Sequence, residues 1–167
     1  MKAIIALLLG LFAFSSKPAV AATTRGRRMS DAEINFSLPD VRGFRNNNPG
    51  NIEFSELNPW VGQTGTDGRY ATFSHMKFGI RAIGKTLNTY AARYGIRTIR
   101  GIIDRWAPDF ENDTNSYVNS VAQTAGVSPD AILSGGDYIA VVAGIIKHEN
   151  GSQPFPLDYI AEAMAIE

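Results

Sequence analysis

The stretch Asp137-Tyr138-Ile139-Ala140-Val141-Val142-Ala143-Gly144-Ile145-Ile146-Lys147-His148-Glu149-Asn150-Gly151 decides how the rest of the chain is read. Ile139, Val142, Ile146 and Glu149 follow one another at spacings of three and four, which on a helix places them along one face. Three aliphatic side chains define an inward stripe, and a carboxylate continues it. Asp137 is placed to accept from the first free amide groups, and Gly151 stands where a left-handed stop is wanted. Glu149 then falls in the last turn, where the helix dipole and partial burial both disfavour an ionised carboxylate. That is the setting of a general acid that keeps its proton near neutral pH. The plainer alternative is an end-of-helix glutamate turned to solvent and paired with Lys147 or another basic side chain. The pattern alone leaves both open.

Upstream, Lys2, the apolar run Ala3 to Phe14, Ser15-Ser16 and the small-residue site Ala19-Val20-Ala21 have the order of a secretory signal peptide over residues 1–21. The run is short for a bilayer span, so no stable membrane span is expected once it is cleaved. Residues 22–41 hold no sustained period and carry a small basic cluster, Arg25, Arg27 and Arg28, and so read as a flexible basic linker. Residues 42–167 read as one folded domain. The full chain of 167 residues is 44% hydrophobic, enough for one core. Sixteen basic residues balance sixteen acidic ones, and without Lys2 and Lys17 the formal charge is −2, which points to no nucleic-acid partner. Cysteine is absent, which removes thiolate metal sites and a cysteine nucleophile.

The domain opens with Arg45-Asn46-Asn47-Asn48-Pro49-Gly50-Asn51-Ile52. Consecutive asparagines before Pro-Gly oppose a helix, because their amides compete for backbone groups and the residue before proline is pushed to an extended conformation. A tight turn explains some of these residues. Arg45, Asn47, Asn48 and Asn51 together suggest a wall of neutral donors and acceptors suited to hydroxyl and acetamido groups. Turn residues between Trp60-Val61-Gly62 and Arg69 to Phe73 predict a small hairpin, with Trp60 and Phe73 either covering the core or stacking a sugar ring. Helices are predicted from His75 to Tyr94, after Thr98 up to Pro108, from Asn112 or Asp113 to Gly126, a short one from Ser128-Pro129-Asp130, the Glu149 helix, and a last short one through Leu157, Ile160, Ala161 and Met164. The fold class is mainly α with one small β-hairpin (α+β).

Two histidines, His75 and His148, without a nucleophile elbow or an HExxH pattern speak against a serine hydrolase or a hydrolytic metal centre, and no phosphate loop is present. His148 and Glu149, being adjacent, are expected on different sides of their helix. No metal and no cofactor is called for. Carboxylate chemistry remains, with Glu149 as proton donor and Glu53, Glu56, Glu111 and Asp113 as possible partners on polar loops.

Several motifs resemble a group of phage- and prophage-encoded virion proteins that look like members of the lysozyme superfamily, close to lytic transglycosylases and glucosaminidases. They are Arg45 to Ile52, Trp60-Val61-Gly62, Phe73 to Ala82, Trp106-Ala107-Pro108, Glu111-Asn112-Asp113-Thr114 with Tyr117, and His148-Glu149-Asn150-Gly151. The resemblance implies a lysozyme-like helical domain in which Glu149 is the catalytic acid. Substrate binding would fall to Arg45, Asn47, Asn48, Asn51, Phe73, Glu111 and Tyr117. In that superfamily the glutamate helix usually comes first, whereas here it follows the polar turn and hairpin, as a circular permutation would produce. Without the permutation, Glu111 becomes the better candidate carboxylate.

Two functions follow as expectations. One is an enzyme cutting the glycan strand of peptidoglycan, monomeric, periplasmic or secreted, or carried on a virion. The other is a non-catalytic module that binds peptidoglycan or builds part of a virion or secretion apparatus.

Overall fold

The computed structural model describes residues 30–36, 38–57, 59–108 and 113–167, with the side chains of 34–36 excepted. The expected signal peptide over 1–21, the arginine cluster, and Glu111 with its neighbours Phe110 and Asn112 lie outside the described residues.

Among the described residues, seven helices and one hairpin follow in the order α1 (Asp31–Phe36), α2 (Arg42–Arg45), β1 (Gln63–Thr66), β2 (Ala71–Phe73), α3 (Met76–Tyr94), α4 (Ile99–Trp106), α5 (Thr114–Ala125), α6 (Asp137–Asn150) and α7 (Leu157–Met164). The chain is thus mainly α with one small antiparallel hairpin, as its periodicities predict. Helix α6 is its axis. Residues 141–146 are buried on every side, so the helix is enclosed by its neighbours, and α5 makes the largest contact with it. Val141, Val142, Ile145 and Ile146 are wholly buried, each contributing about 1.5–3 kcal/mol of hydrophobic stabilisation. Gly144 makes the α5–α6 contact close. A β-carbon there would stand 3.0 Å from a Val121 methyl and 3.1 Å from the Val121 backbone. Helices α3 and α7 pack together on the other side, and both also touch α6.

The helix ends follow the capping chemistry. His75 Nδ1 accepts from Lys77 N at the start of α3, Thr98 caps α4 and Asp113 caps α5. Gly95, Gly126 and Gly151 close α3, α5 and α6 in the left-handed conformation.

Three expectations are corrected. The linker over 22–41 contains α1, started by a capping box in which Glu33 Oε2 accepts from Ser30 N and Oγ while Glu33 N donates to Ser30 Oγ. Residues 128–133 form a turn and not a helix: Ala131 N reaches back to Ser128 O, Leu133 N is drawn to Arg97 O, and Arg100 pairs with Asp130 at 2.8 Å. Backbone groups that a helix would use internally are committed to α4 and the residues just before it. Finally, Gly136 and not Asp137 is the N-cap of α6, because the Asp137 carboxylate turns back to accept from Ser134 N at 2.8 Å.

Candidate functional site

The polar turn after α2 is held by its own asparagines. Asn48 is completely buried, and its amide donates to Ile52 O and Ala71 O while its oxygen accepts from Ile52 N. Asn47, in the left-handed region at φ 50, donates to Phe73 O, and Asn46 donates to Asp67 Oδ2 at 2.7 Å. Asp67 is held below the usual carboxylate range, first by the Tyr70 amide and then by Asn46. From the other side Asn150, the last residue of α6, donates to Pro49 O at 2.7 Å and to Ile146 O at 2.9 Å. Helix α6 is therefore bolted to the turn one residue beyond Glu149. Gly79 lets α3 meet the same turn, since a β-carbon there would collide with the Asn47 carbonyl oxygen and lie 2.9 Å from Pro49 Cδ.

This bolting places Asn51 against Glu149. Asn51 sits at φ 46, which asparagine tolerates better than most residues, and its Nδ2 donates to Glu149 Oε2 at 2.9 Å. Tyr117 Oη, from α5, donates to Glu149 Oε1 at 2.6 Å, and Trp106 Nε1, from the end of α4, donates to the same oxygen at 3.3 Å. Oε1 thus accepts twice. Oε2 accepts once and keeps a second acceptor position, so it is the oxygen available for exchange with a ligand. Burial, and secondarily the Glu149 charge, raises the Tyr117 phenol well above its ordinary value, which keeps this donor protonated. The three donors from Asn51, Tyr117 and Trp106 come from elements distant in the chain, and no local pattern announces them.

Glu149 opens onto a groove of 930 Å³. Its floor and walls include Asn51, Trp106, Tyr117 and His148 near the carboxylate, and Glu53, Arg69 and Tyr70 on the hairpin side. Glu53 is paired with Arg69 at 2.8 Å, and the Arg69 guanidinium lies 5.1 Å from the Tyr70 ring centroid. The lining is polar and aromatic, a composition suited to a hydroxyl-rich ligand with flat faces.

Of the residues singled out in the sequence, Glu149, Asn51, Tyr117 and the possible partner carboxylate Glu53 line this groove. Asn47 and Asn48 do not line it, because their side chains are consumed by the backbone of the turn and hairpin. Arg45 lies apart, paired with Asp40 at 2.9 Å on the surface. Phe73 is buried with Ala71 and Ala82 in a small satellite core, with Trp60 packed on it, so neither stacks in the groove. His148 is also corrected. It faces the same groove as Glu149, its ring stacked on Tyr117 at 3.6 Å between centroids, and burial lowers its pKa against the opposing pull of Glu149. Trp106 and Tyr70 also line the groove, although neither is among the expected site residues. Their polar ends, and their places beside Pro108 and the Gly68 turn, were the signals that could have brought them to the groove. Among the described residues no group of three acidic, histidine or cysteine side chains is arranged to hold a metal ion, and no helix is long and apolar enough to cross a membrane.

No protein-family model matches the chain. It is 40% identical over 143 residues to Protein P5 of Pseudoalteromonas phage PM2, across 83% of this chain and 88% of that protein. The chain belongs to the same family as that phage protein.

Proposed function

We propose that this member of the Protein P5 family cuts the glycan strand of peptidoglycan, acting as a lytic transglycosylase or as a muramidase or glucosaminidase. One observation carries the reading. A carboxylate at the end of an enclosed helix opens onto a polar, aromatic groove, with an asparagine from a rigid turn fixed opposite it. Glycosidic cleavage needs a proton delivered to the leaving oxygen, and the oxygen with an acceptor position to spare, Glu149 Oε2, is the atom that would carry it. Tyr117 and Trp106 hold the other oxygen and set the plane of the carboxyl group. Once the leaving group has gone, the same carboxylate takes a proton from the attacking hydroxyl, either water or a hydroxyl of the sugar itself. A neighbouring acetamido group can stabilise the developing cation, so a second carboxylate is not required.

On this reading α6 corresponds to the glutamate helix of the lysozyme-like superfamily, displaced in chain order as in a circular permutation. The protein would work in the periplasm, outside the cell, or on a phage particle. Digestion of purified sacculi followed by mass determination of the fragments tests it: an anhydro end marks transglycosylation, a reducing end marks hydrolysis, and no fragments at all rejects the enzyme.

A second reading is favoured by the engagement of both Glu149 oxygens. A carboxylate already satisfied by three donors also suits a groove that grips a glycan strand without cutting it. Retention of the protein on sacculi without released fragments would select this alternative.

A further inference from the structure

Tyr90 and Pro108 border two depressions at once. On one side lies the groove of Glu149. On the other is a second hollow of 700 Å³, completed by Ile96, Gly101, Asp104 and Arg105. A polymer lying across Glu149 and running over Tyr90 and Pro108 therefore comes onto a floor that ends at Arg105.

The Arg105 guanidinium is laid on tyrosines, 3.9 Å from the Tyr94 ring centroid and 5.2 Å from that of Tyr90. Stacking of this kind, with a hydrogen bond from Arg105 to the Tyr90 hydroxyl, holds the plane of the fork and leaves its remaining N–H groups able to donate. Arg105 is exposed, and among the described residues it makes no ion pair. The neighbouring Asp104 lies within the field of Arg100, whose own salt bridge is with Asp130. A planar donor fork, pre-oriented and without a carboxylate among the described residues, matches a planar acceptor pair.

We propose that the Arg105 shelf is a second binding site, for a carboxylate carried on the lactyl arm of the strand whose glycosidic bond lies at Glu149. This rests on the reading of the groove as a peptidoglycan cleft, and it adds to it a reason to prefer that polymer over a neutral one. The lactyl arm can supply the carboxylate in two ways: through an attached stem peptide, or, where the peptide has been removed, through the free lactyl group.

The test is equilibrium binding to the full chain carrying Glu149→Gln, so that no probe is consumed, with and without Arg105→Gln. Three probes are compared: peptide-bearing strands, the same strands stripped of peptide by an amidase, and a neutral N-acetylglucosamine oligomer. Arg105→Gln is expected to weaken the carboxylate-bearing probes by about threefold to tenfold and the neutral oligomer by less than about twofold, with the difference shrinking at high salt and partly restored by Arg105→Lys. Weakening of the peptide-bearing probe alone supports the shelf and assigns it to the stem. Weakening of both anionic probes supports it and assigns it to the lactyl arm whatever its end. If strands bind and Arg105→Gln weakens all three probes equally, or none, the shelf is overturned and the groove reading stands. If no probe binds, both fall.

Discussion

Tyr117 Oη and Glu149 Oε1 are 2.6 Å apart, joining α5 to the last turn of α6 at the floor of the groove. The two residues are 32 positions apart in the chain, and the contact depends on Gly144 bringing the two helices close. Tyr117→Phe keeps the ring and its stacking on His148 and removes only the donor. It should slow strand cleavage about tenfold or more and lower stability by about 1–2 kcal/mol, as expected when a buried hydrogen bond is lost and its acceptor stays behind. Initial rates on sacculi and a denaturant melt measure the two effects; an unchanged rate would separate Tyr117 from the reaction.

Asn48 and Asn51 are three residues apart and should fail in opposite ways. Asn48→Ala strips partners from three backbone groups in a buried turn and should cost about 2–4 kcal/mol. Asn51→Gly keeps the left-handed conformation and removes a side chain whose hydrogen bond goes to Glu149. It should leave stability within about 1 kcal/mol of the parent and still reduce activity. Unfolding curves paired with rates decide the matter; an Asn51→Gly protein that cleaves at full rate would remove this residue from the site.

Gly79 does not line the Glu149 groove, yet Gly79→Ala should be among the more damaging small substitutions. Its methyl group meets the backbone carbonyl of Asn47, which cannot rotate away. Overpacking of this kind costs about 1–3 kcal/mol, and the displaced turn carries Asn51 with it. Both melting temperature and activity should fall, while an alanine tolerated without loss would mean that the turn is not pinned to α3.

His148 supplies a pH dependence. Burial depresses its folded-state pKa below the ordinary value of about 6.5, so on acidification the unfolded chain takes up the proton first. Its contribution to stability is therefore complete above about pH 6.5 and declines as the pH falls through the folded value. Denaturant midpoints between neutral and mildly acidic pH should drop in the parent and drop less in His148→Gln. Equal slopes would contradict the assignment.

Elements whose cause lies in neighbouring residues were legible in the sequence. The Glu149 stripe, the hairpin and the glycine-closed ends of α3, α5 and α6 all declare themselves through period or capping. The capping box at Ser30 and Glu33 is equally local, but the helix it starts is too short to show a period. What the sequence could not show was where amides go once the chain folds. Asn47 and Asn48 have the chemistry of a sugar-binding wall, but their partners are carbonyls of β2 and residue 52, so the asparagine that reaches the groove is Asn51 alone among the three. Phe73 is likewise aromatic beside a polar turn, and only the pairing of β1 with β2 turns it inward. Trp106 closes the apolar face of α4, yet its indole N–H leaves that face for Glu149.

The most direct test of the central claim is the release of soluble fragments from purified sacculi by the parent chain and by Glu149→Gln, with both melting temperatures recorded. The substitution preserves the shape of the side chain and removes its acid, so the account predicts an equally folded protein that releases no fragments. Equal release by the two proteins would contradict it.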